Sequence, residues 1–157
     1  MYACSTLYHW WKPGKGKRVL RLLDHIGIYI MIASSYTPIC IGVVGGALGW
    51  VVFGLLWAVA IGGTFYKIFL LGRYPRLSLI LYLLMGWSVV LIGKPVFEAM
   101  PASALCCILA EGIFYTSGTY FYAHDTRKYY HAIWHLFVLL GSIAHWTAVL
   151  LVLYEIS

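Results

Sequence analysis

The stretch of residues 130–153 reads YHAIWHLFVLLGSIAHWTAVLLVL. It contains no Asp, Glu, Lys or Arg, and it is longer than the about 20 apolar residues that a helix needs to cross the hydrocarbon of a bilayer. Three histidines interrupt its apolar character, at His131, His135 and His145. The stretch therefore predicts a membrane-spanning helix that carries ionisable side chains.

The composition of the whole chain also indicates a membrane protein. Of its 157 residues, 62% are hydrophobic, 17% are aromatic and only 10% are charged, with a mean hydropathy of +0.85, whereas a soluble domain carries about a quarter charged residues. One small core cannot hide so much apolar surface from water. The composition thus excludes a soluble monomer, a disordered chain, a collagen and a disulfide scaffold. The four cysteines show no C-x-x-C spacing, so we interpret them as small apolar packing residues.

Apolar runs of spanning length occur five times, which predicts an all-α, polytopic transmembrane helix bundle. The predicted spans are residues 22–43, 47–71, 77–96, 101–122 and 130–153. The clearest polar breaks are the segments 73–76 and 124–128. Because no internal repeat and no change in composition divide the chain, residues 1–157 are predicted to form a single integral membrane domain.

The basic residues predict how the spans are oriented. Eleven Lys and Arg oppose five Asp and Glu, a net charge of +6, and alternate threading of the spans puts every basic residue except Lys94 on one side. Basic residues collect in cytoplasmic loops, so we expect a cytoplasmic amino-terminal segment and a carboxyl terminus outside. This explains the charge without nucleic acid, for which the sequence offers no interleaved basic and aromatic groove. The expected partners are membrane lipids, and the sequence does not predict an oligomeric state.

Polar residues converge near the predicted cytoplasmic face. Ser5 and His9 stand one helical turn apart before the basic loop, Asp24 follows that loop, and His131 and His135 begin the last span. Ionisable groups near the hydrocarbon are costly, which makes each a candidate for a functional role. Their shared depth in the membrane points to one site.

The residue types in this set suit a zinc centre. His131 and His135 lie close enough on one helix face to hold one ion, and His9 would complete three imidazole ligands with the fourth position open, the arrangement of catalytic zinc. Asp24 could then take the proton of a metal-bound water, and Ser5 could hydrogen-bond the reacting group. Plainer interpretations stay open: packed histidines, an acidic helix start at Asp24 and a capping or packing role for Ser5.

Other polar residues fit this centre less well. His145 lies about 15 Å along the helix from His135, too far to share its ion, and is predicted to form an interhelical hydrogen bond. Glu111 lies inside the fourth span, where it is expected to be neutral or to face a polar cavity. His25 points away from Asp24 around the helix and is interpreted as a supporting residue. Pro38 is expected to bend the first span.

Four segments carry a resemblance to a known family: STLYH at 5–9, LDHIGIYIMIASSYTP at 23–38, FYTSGTYFY at 114–122 and HAIWHLFVLLGSIAH at 131–145. In these the chain resembles the bacterial hemolysin III proteins, relatives of the progestin and adipoQ receptors that include the adiponectin receptors. The resemblance implies seven membrane helices and zinc bound by His9, His131 and His135 near the cytoplasmic face of the inner membrane. It also implies that Asp24 lies near the zinc and that Ser5 precedes the first ligand by one turn.

Against seven helices, this chain begins at the end of the second, so residues 1–10 are expected to be the end of a truncated helix. The functional hypothesis is a zinc-dependent hydrolase of a lipid amide or ester. The resemblance implies it, because the adiponectin receptors resemble ceramide amide hydrolases and the wider superfamily includes the alkaline ceramidases. One alternative is a membrane-perturbing, pore-forming haemolysin-like protein in which zinc is structural. Another is a receptor-like membrane protein.

Overall fold

The computed structural model describes residues 2–71, 73, 75–124, 127 and 129–156. Among the predicted loop residues, Tyr74, Asp125, Thr126 and Lys128 lie outside the described residues. All regular secondary structure within the described ranges is helical, which confirms the all-α prediction.

The described helices follow one another with short connections. We number the α-helices α1 to α8 in chain order and call the single π-helix π1. Their bounds are α1 Tyr2–Trp10, α2 Lys15–Pro38, π1 Ile39–Val44, α3 Gly46–Leu70, α4 Pro75–Gly86, α5 Ser88–Ile92, α6 Lys94–Ala99, α7 Ala102–Ala123 and α8 Tyr130–Ile156.

Four of the predicted spans correspond to helices that are long and apolar enough to cross a membrane. These are Lys15–Val44, which combines α2 and π1, then Gly46–Leu70, Ala102–Ala123 and Tyr130–Glu155. The first begins at Lys15 rather than at residue 22, so Lys15, Lys17, Arg18 and Arg21 lie in its first turns, while Lys12 precedes the helix. An integral membrane protein with at least these four helices follows from their length and composition.

The predicted span 77–96 is not one continuous helix. The chain there forms α4, α5 and α6, each too short to cross a bilayer alone, so the count of five spans is not confirmed. The breaks have local causes: Trp87 leaves the helical conformation after Gly86, and Gly93 adopts a φ of 54° that L side chains rarely take. Pro95 follows at the start of α6, where a missing N–H costs nothing.

The structure divides into two compact units, Met1–Met85 and Gly86–Ser157. The first unit is built on α2 packed against α3. The ring of Tyr29 lies directly against Gly63, and the indole of Trp57 donates a 3.2 Å hydrogen bond to Oγ1 of Thr37. After Pro38 the helix widens from α to π geometry, while the bend expected at Pro38 stays a prediction.

The second unit is built on α7 packed against α8, the most extensive helix pair in the described chain. Two glycines allow the close approach: Gly118 faces Trp134 and Phe137, and Gly141 faces the ring of Tyr115. A side chain on either glycine would collide with these rings. The register of the pair is therefore set by where the aromatic rings meet the glycines.

Both units leave large apolar side chains on their surfaces. Leu55 is 62% exposed and Phe69 77% in the first unit, while Ile113 is 59% and Trp146 65% exposed in the second. Such surfaces are costly in water and stable against lipid chains, which agrees with the membrane assignment.

Candidate metal centre

The first turns of α8 place His131 and His135 on one helix face. Their Nε2 atoms are 3.1 Å apart, and the ring centroids are separated by 4.8 Å with the planes at 73°. Both side chains are half-buried. The two imidazoles are therefore in contact, while their role as metal ligands stays a prediction.

This geometry fits two ligands of one zinc ion. Two nitrogens at ~2.0 to 2.1 Å from a tetrahedral ion lie about 3.4 Å apart, close to the separation of the two Nε2 atoms. Neutral imidazole is also a preferred donor for zinc. The same separation allows one ring to donate a hydrogen bond to the other, which is the plainer interpretation of the pair.

The packing of α7 against α8 holds the histidine-bearing turn. Trp134, which lies between the two histidines in sequence, contacts Gly118 and pairs with Tyr122 at 5.2 Å between ring centroids. One turn further on, Phe137 stacks on Phe121 at 5.3 Å and 23° between planes. These rings fix the rotation of α8 about its axis and so the direction in which the histidines point.

Ser5 and His9 lie in the first unit, on α1. They are one helical turn apart, as the spacing predicts, with Ser5 only 3% exposed and His9 exposed. The His9 ring packs edge-on against Tyr8 at 4.7 Å. Within this unit α1 packs against α2.

Asp24 and His25 lie in the first unit as well, at the end of the third turn of α2. Asp24 is half-buried. His25 is tied to the scaffold: its Nδ1 lies 2.8 Å from the carbonyl oxygen of Arg21, and its own carbonyl accepts a 3.0 Å hydrogen bond from the hydroxyl of Tyr82. These contacts tie His25 to its own helix and to Tyr82, and its supporting role at the metal site stays a prediction.

Glu111 and His145 form a second polar site. Their pairing with one another is not part of the sequence prediction. His145 Nδ1 lies 2.9 Å from Oε2 of Glu111, and both side chains are largely buried between α7 and α8. The interhelical hydrogen bond predicted for His145 is confirmed, and Glu111 is its partner. One turn away, the hydroxyls of Tyr115 and Ser142 lie 3.2 Å apart. Helical spacing could not reveal these pairs because their members lie on different helices.

The four cysteines are free thiols, and Cys40 is buried. None of the candidate metal ligands in the described part of the chain is a thiolate. Their interpretation as packing residues fits this arrangement.

Comparisons with known proteins give consistent matches. Residues 1–146 match the family model described as Haemolysin-III related. The chain is 39% identical to the hemolysin-3 homolog of Bacillus subtilis (strain 168), a match that covers 96% of this chain and 70% of that protein. It is 39% identical to hemolysin-3 of Bacillus cereus, covering 90% of this chain and 65% of that protein.

More distant relatives are found in animals. The chain is 30% identical to the human monocyte to macrophage differentiation factor, a match that covers 99% of this chain and 66% of that protein. No solved structure matches the chain. The chain therefore spans about two thirds of the length of the curated relatives that it matches.

Proposed function

The chain belongs to the haemolysin-III-related family, and from this premise we propose that it is a membrane zinc protein that hydrolyses a lipid amide or ester. The observation that carries the proposal is the 3.1 Å separation of the Nε2 atoms of His131 and His135. A lipid substrate is favoured because both helical units carry apolar surfaces suited to a bilayer.

Three histidines are proposed to hold the metal. We propose His9 on α1 as the third ligand beside His131 and His135, because a set of three neutral imidazoles is the ligand chemistry of catalytic zinc. When bound, the zinc supplies Lewis-acid chemistry, which polarises a carbonyl and acidifies water. Three protein ligands are fewer than the four that a structural zinc site uses, which favours catalysis over a structural role.

Asp24 is proposed as the general base. In this role its carboxylate would accept the proton of the attacking water and pass it to the leaving amine or alcohol. Ser5 is proposed to donate a hydrogen bond to the carbonyl oxygen of the lipid. Its burial and its position one turn before His9 support this positioning role.

The site is proposed to lie near the cytoplasmic face of the bacterial inner membrane. The support is the density of basic residues around it: Lys12, Lys15, Lys17, Arg18 and Arg21 lie within ten positions of chain and include no acidic residue between them. Basic segments of this kind stay in the cytoplasm.

A zinc measurement tests the proposal. The chain is expressed in membranes, purified in mild detergent and analysed for zinc, together with His131→Ala, His135→Ala and the control His124→Ala. His124 is an exposed histidine at the end of α7. We expect about one zinc per chain in the unaltered protein and in the control, and loss of zinc in the other two variants. Equal zinc content in all four proteins would refute the metal centre.

A second candidate function is suggested by the name of a relative. The Bacillus cereus protein is called hemolysin-3, which favours a membrane-perturbing protein in which zinc is only structural. The two functions separate in liposomes that contain a fluorescent dye and a mixture of lipids. Lipid hydrolysis without dye release supports the hydrolase, whereas dye release without hydrolysis that survives Asp24→Ala supports the membrane-perturbing protein.

A further inference from the structure

Lys67 is a buried lysine near the end of α3. It is 3% exposed and extends the inward-facing row Leu56, Ala60 and Gly63 of that helix. Its Nζ lies 5.7 Å from the centroid of the neighbouring Tyr66 ring. No ion pair in the described ranges joins Lys67 to a carboxylate. A buried ammonium without an anionic partner has a high desolvation cost, which an anion bound beside it would offset.

The other charge that acts on Lys67 is also positive. Arg21 on α2 is close enough to interact electrostatically with the Lys67 ammonium, and it is exposed. Two cations at this distance repel each other. An anion placed beside both would turn this repulsion into attraction, and the exposed guanidinium marks the side from which it would arrive.

Two buried hydroxyls in the same unit also lack a hydrogen-bond partner of good geometry. Tyr29 packs against Gly63, one turn before Lys67 on the same face of α3. The Tyr29 hydroxyl lies near the hydroxyl of Ser78 on α4, and neither oxygen has a partner with good hydrogen-bond geometry. Buried polar atoms of this kind are rare and indicate an unseen polar partner.

A lysine in the last turn of a helix has a plainer explanation, since the carbonyls at that end attract cations. That explanation accounts for the position of Lys67. It does not account for the second cation beside it or for the two buried hydroxyls. All four groups share the ability to donate hydrogen bonds, and the two cations can do nothing else. A tetrahedral oxyanion offers several acceptors to such a set.

We propose that Lys67 and Arg21 bind the phosphate group of an anionic glycerophospholipid, with the Tyr29 and Ser78 hydroxyls as further donors. A lipid source is favoured over free phosphate because the end of α3 is also strongly apolar on its outer side, where Phe65, Ile68 and Phe69 are exposed. Acyl chains can lie along these side chains while the head group reaches the cations. The inference does not depend on zinc or on hydrolysis.

Lipid retention during purification tests this site. The full chain is purified from membranes in mild detergent, and bound phosphatidylglycerol and phosphatidylcholine are titrated and counted by native mass spectrometry. The variants are Lys67→Met and Arg21→Gln, with Lys12→Met as the matched control, an exposed lysine of the basic segment. We expect each of the first two to weaken phosphatidylglycerol binding about tenfold, the effect of losing one charge-assisted hydrogen bond, and the control to change it less than about twofold.

Equal binding by wild type and Lys67→Met, or an equal loss in Lys12→Met, would overturn the site, because the attraction would then come from the basic segment as a whole. If Lys67→Met fails to fold, Arg21→Gln decides alone, since its side chain is exposed. Inorganic phosphate is added in a separate arm. If only a large excess of inorganic phosphate displaces phosphatidylglycerol, the result supports a lipid as the ligand. Equal affinity for inorganic phosphate and phosphatidylglycerol would overturn the lipid as the ligand and leave a site for free phosphate.

Discussion

The buried pair of Glu111 and His145 shows what a single residue can cost and contribute inside a membrane helix. Either side chain alone would be an isolated polar group between apolar neighbours, which is expensive. Together they satisfy one another at 2.9 Å. The value of each therefore depends on the other, and removing one leaves the second without its partner.

We expect Glu111→Ala to lower the free energy of unfolding by about 1 to 2 kcal/mol, the upper range for interhelical hydrogen bonds in membranes. Glu111→Gln should lose less, because the amide still accepts a hydrogen bond from the imidazole. The double variant Glu111→Leu with His145→Phe should recover much of the loss. Unfolding in mixed detergent measures all of these. Additive losses in the double variant would contradict a direct pair.

Asp24 can be separated from metal binding. If Asp24 is the general base, Asp24→Ala should keep its zinc content and lose lipid hydrolysis by a factor of about 10² to 10⁴. The matched variant His25→Ala, which alters a scaffold contact of the same helix, should reduce turnover far less. Zinc analysis and a lipid-product assay on the same preparations measure both quantities. Retained turnover in Asp24→Ala would exclude this mechanism.

Residue spacing predicts which side chains meet within one helix, but not which side chains meet between two helices. The spacing of His131 and His135 alone predicts that they meet, because four positions make one turn. The partner of Glu111 could not be predicted, since His145 lies 34 positions away and the register of α7 on α8 is set by glycine and aromatic contacts. His9 is predicted to join this pair because it is expected to lie at the same depth in the membrane, and the family resemblance implies the same ligand.

At the scale of elements, the long uniform spans were predictable and the broken one was not. Residues 101–122 and 130–153 match α7 and α8 within a few positions. Residues 77–96 are equally apolar, yet they form three short helices. Mean hydropathy reflects how well side chains suit lipid and carries no information on backbone conformation. The helix breaks near Gly93 and Pro95 could therefore not be predicted from it.

Adjacent glycines in α3 provide an internal test of helix packing. A Cβ on Gly63 would meet the Tyr29 ring at 2.5 to 2.8 Å, whereas a Cβ on Gly62 would meet nothing within 4 Å. We expect Gly63→Ala to destabilise the protein by about 1 to 3 kcal/mol through overpacking. Gly62→Ala should be neutral or stabilising by up to ~1 kcal/mol through helix propensity. Thermal unfolding in one detergent compares the two, and equal shifts would argue against close packing of α2 on α3.

At the scale of the whole molecule, the number of membrane crossings determines the side on which each terminus lies. Five crossings put the termini on opposite sides, and four put them on the same side. The outcome depends on residues 75–99, where α4, α5 and α6 replace the predicted span. Ten of the eleven basic residues share one side only if this region crosses.

We therefore expect alkaline phosphatase, which is active only outside the cytoplasm, to be active when fused after Glu155. A fusion within the turn at Gly45 should be active whichever count holds, and one after Arg73 should be inactive, so these two serve as controls. Green fluorescent protein at the same points should give the complementary pattern. An inactive fusion after Glu155 with both controls as expected would establish an even number of crossings.

The wide turn after Pro38 has a consequence for how the chain can change in length. In π1 each hydrogen bond closes over five residues instead of four, as in the 3.0 Å bond from Gly45 N to Cys40 O. Removing one residue between 39 and 44 would restore the tighter ladder and still leave the glycine turn to begin α3. We therefore expect this turn to tolerate a change of one residue in chain length. The same change elsewhere in α2 or α3 would rotate every later side chain of that helix about its axis. A one-residue gap in an alignment of family members is thus expected at this turn.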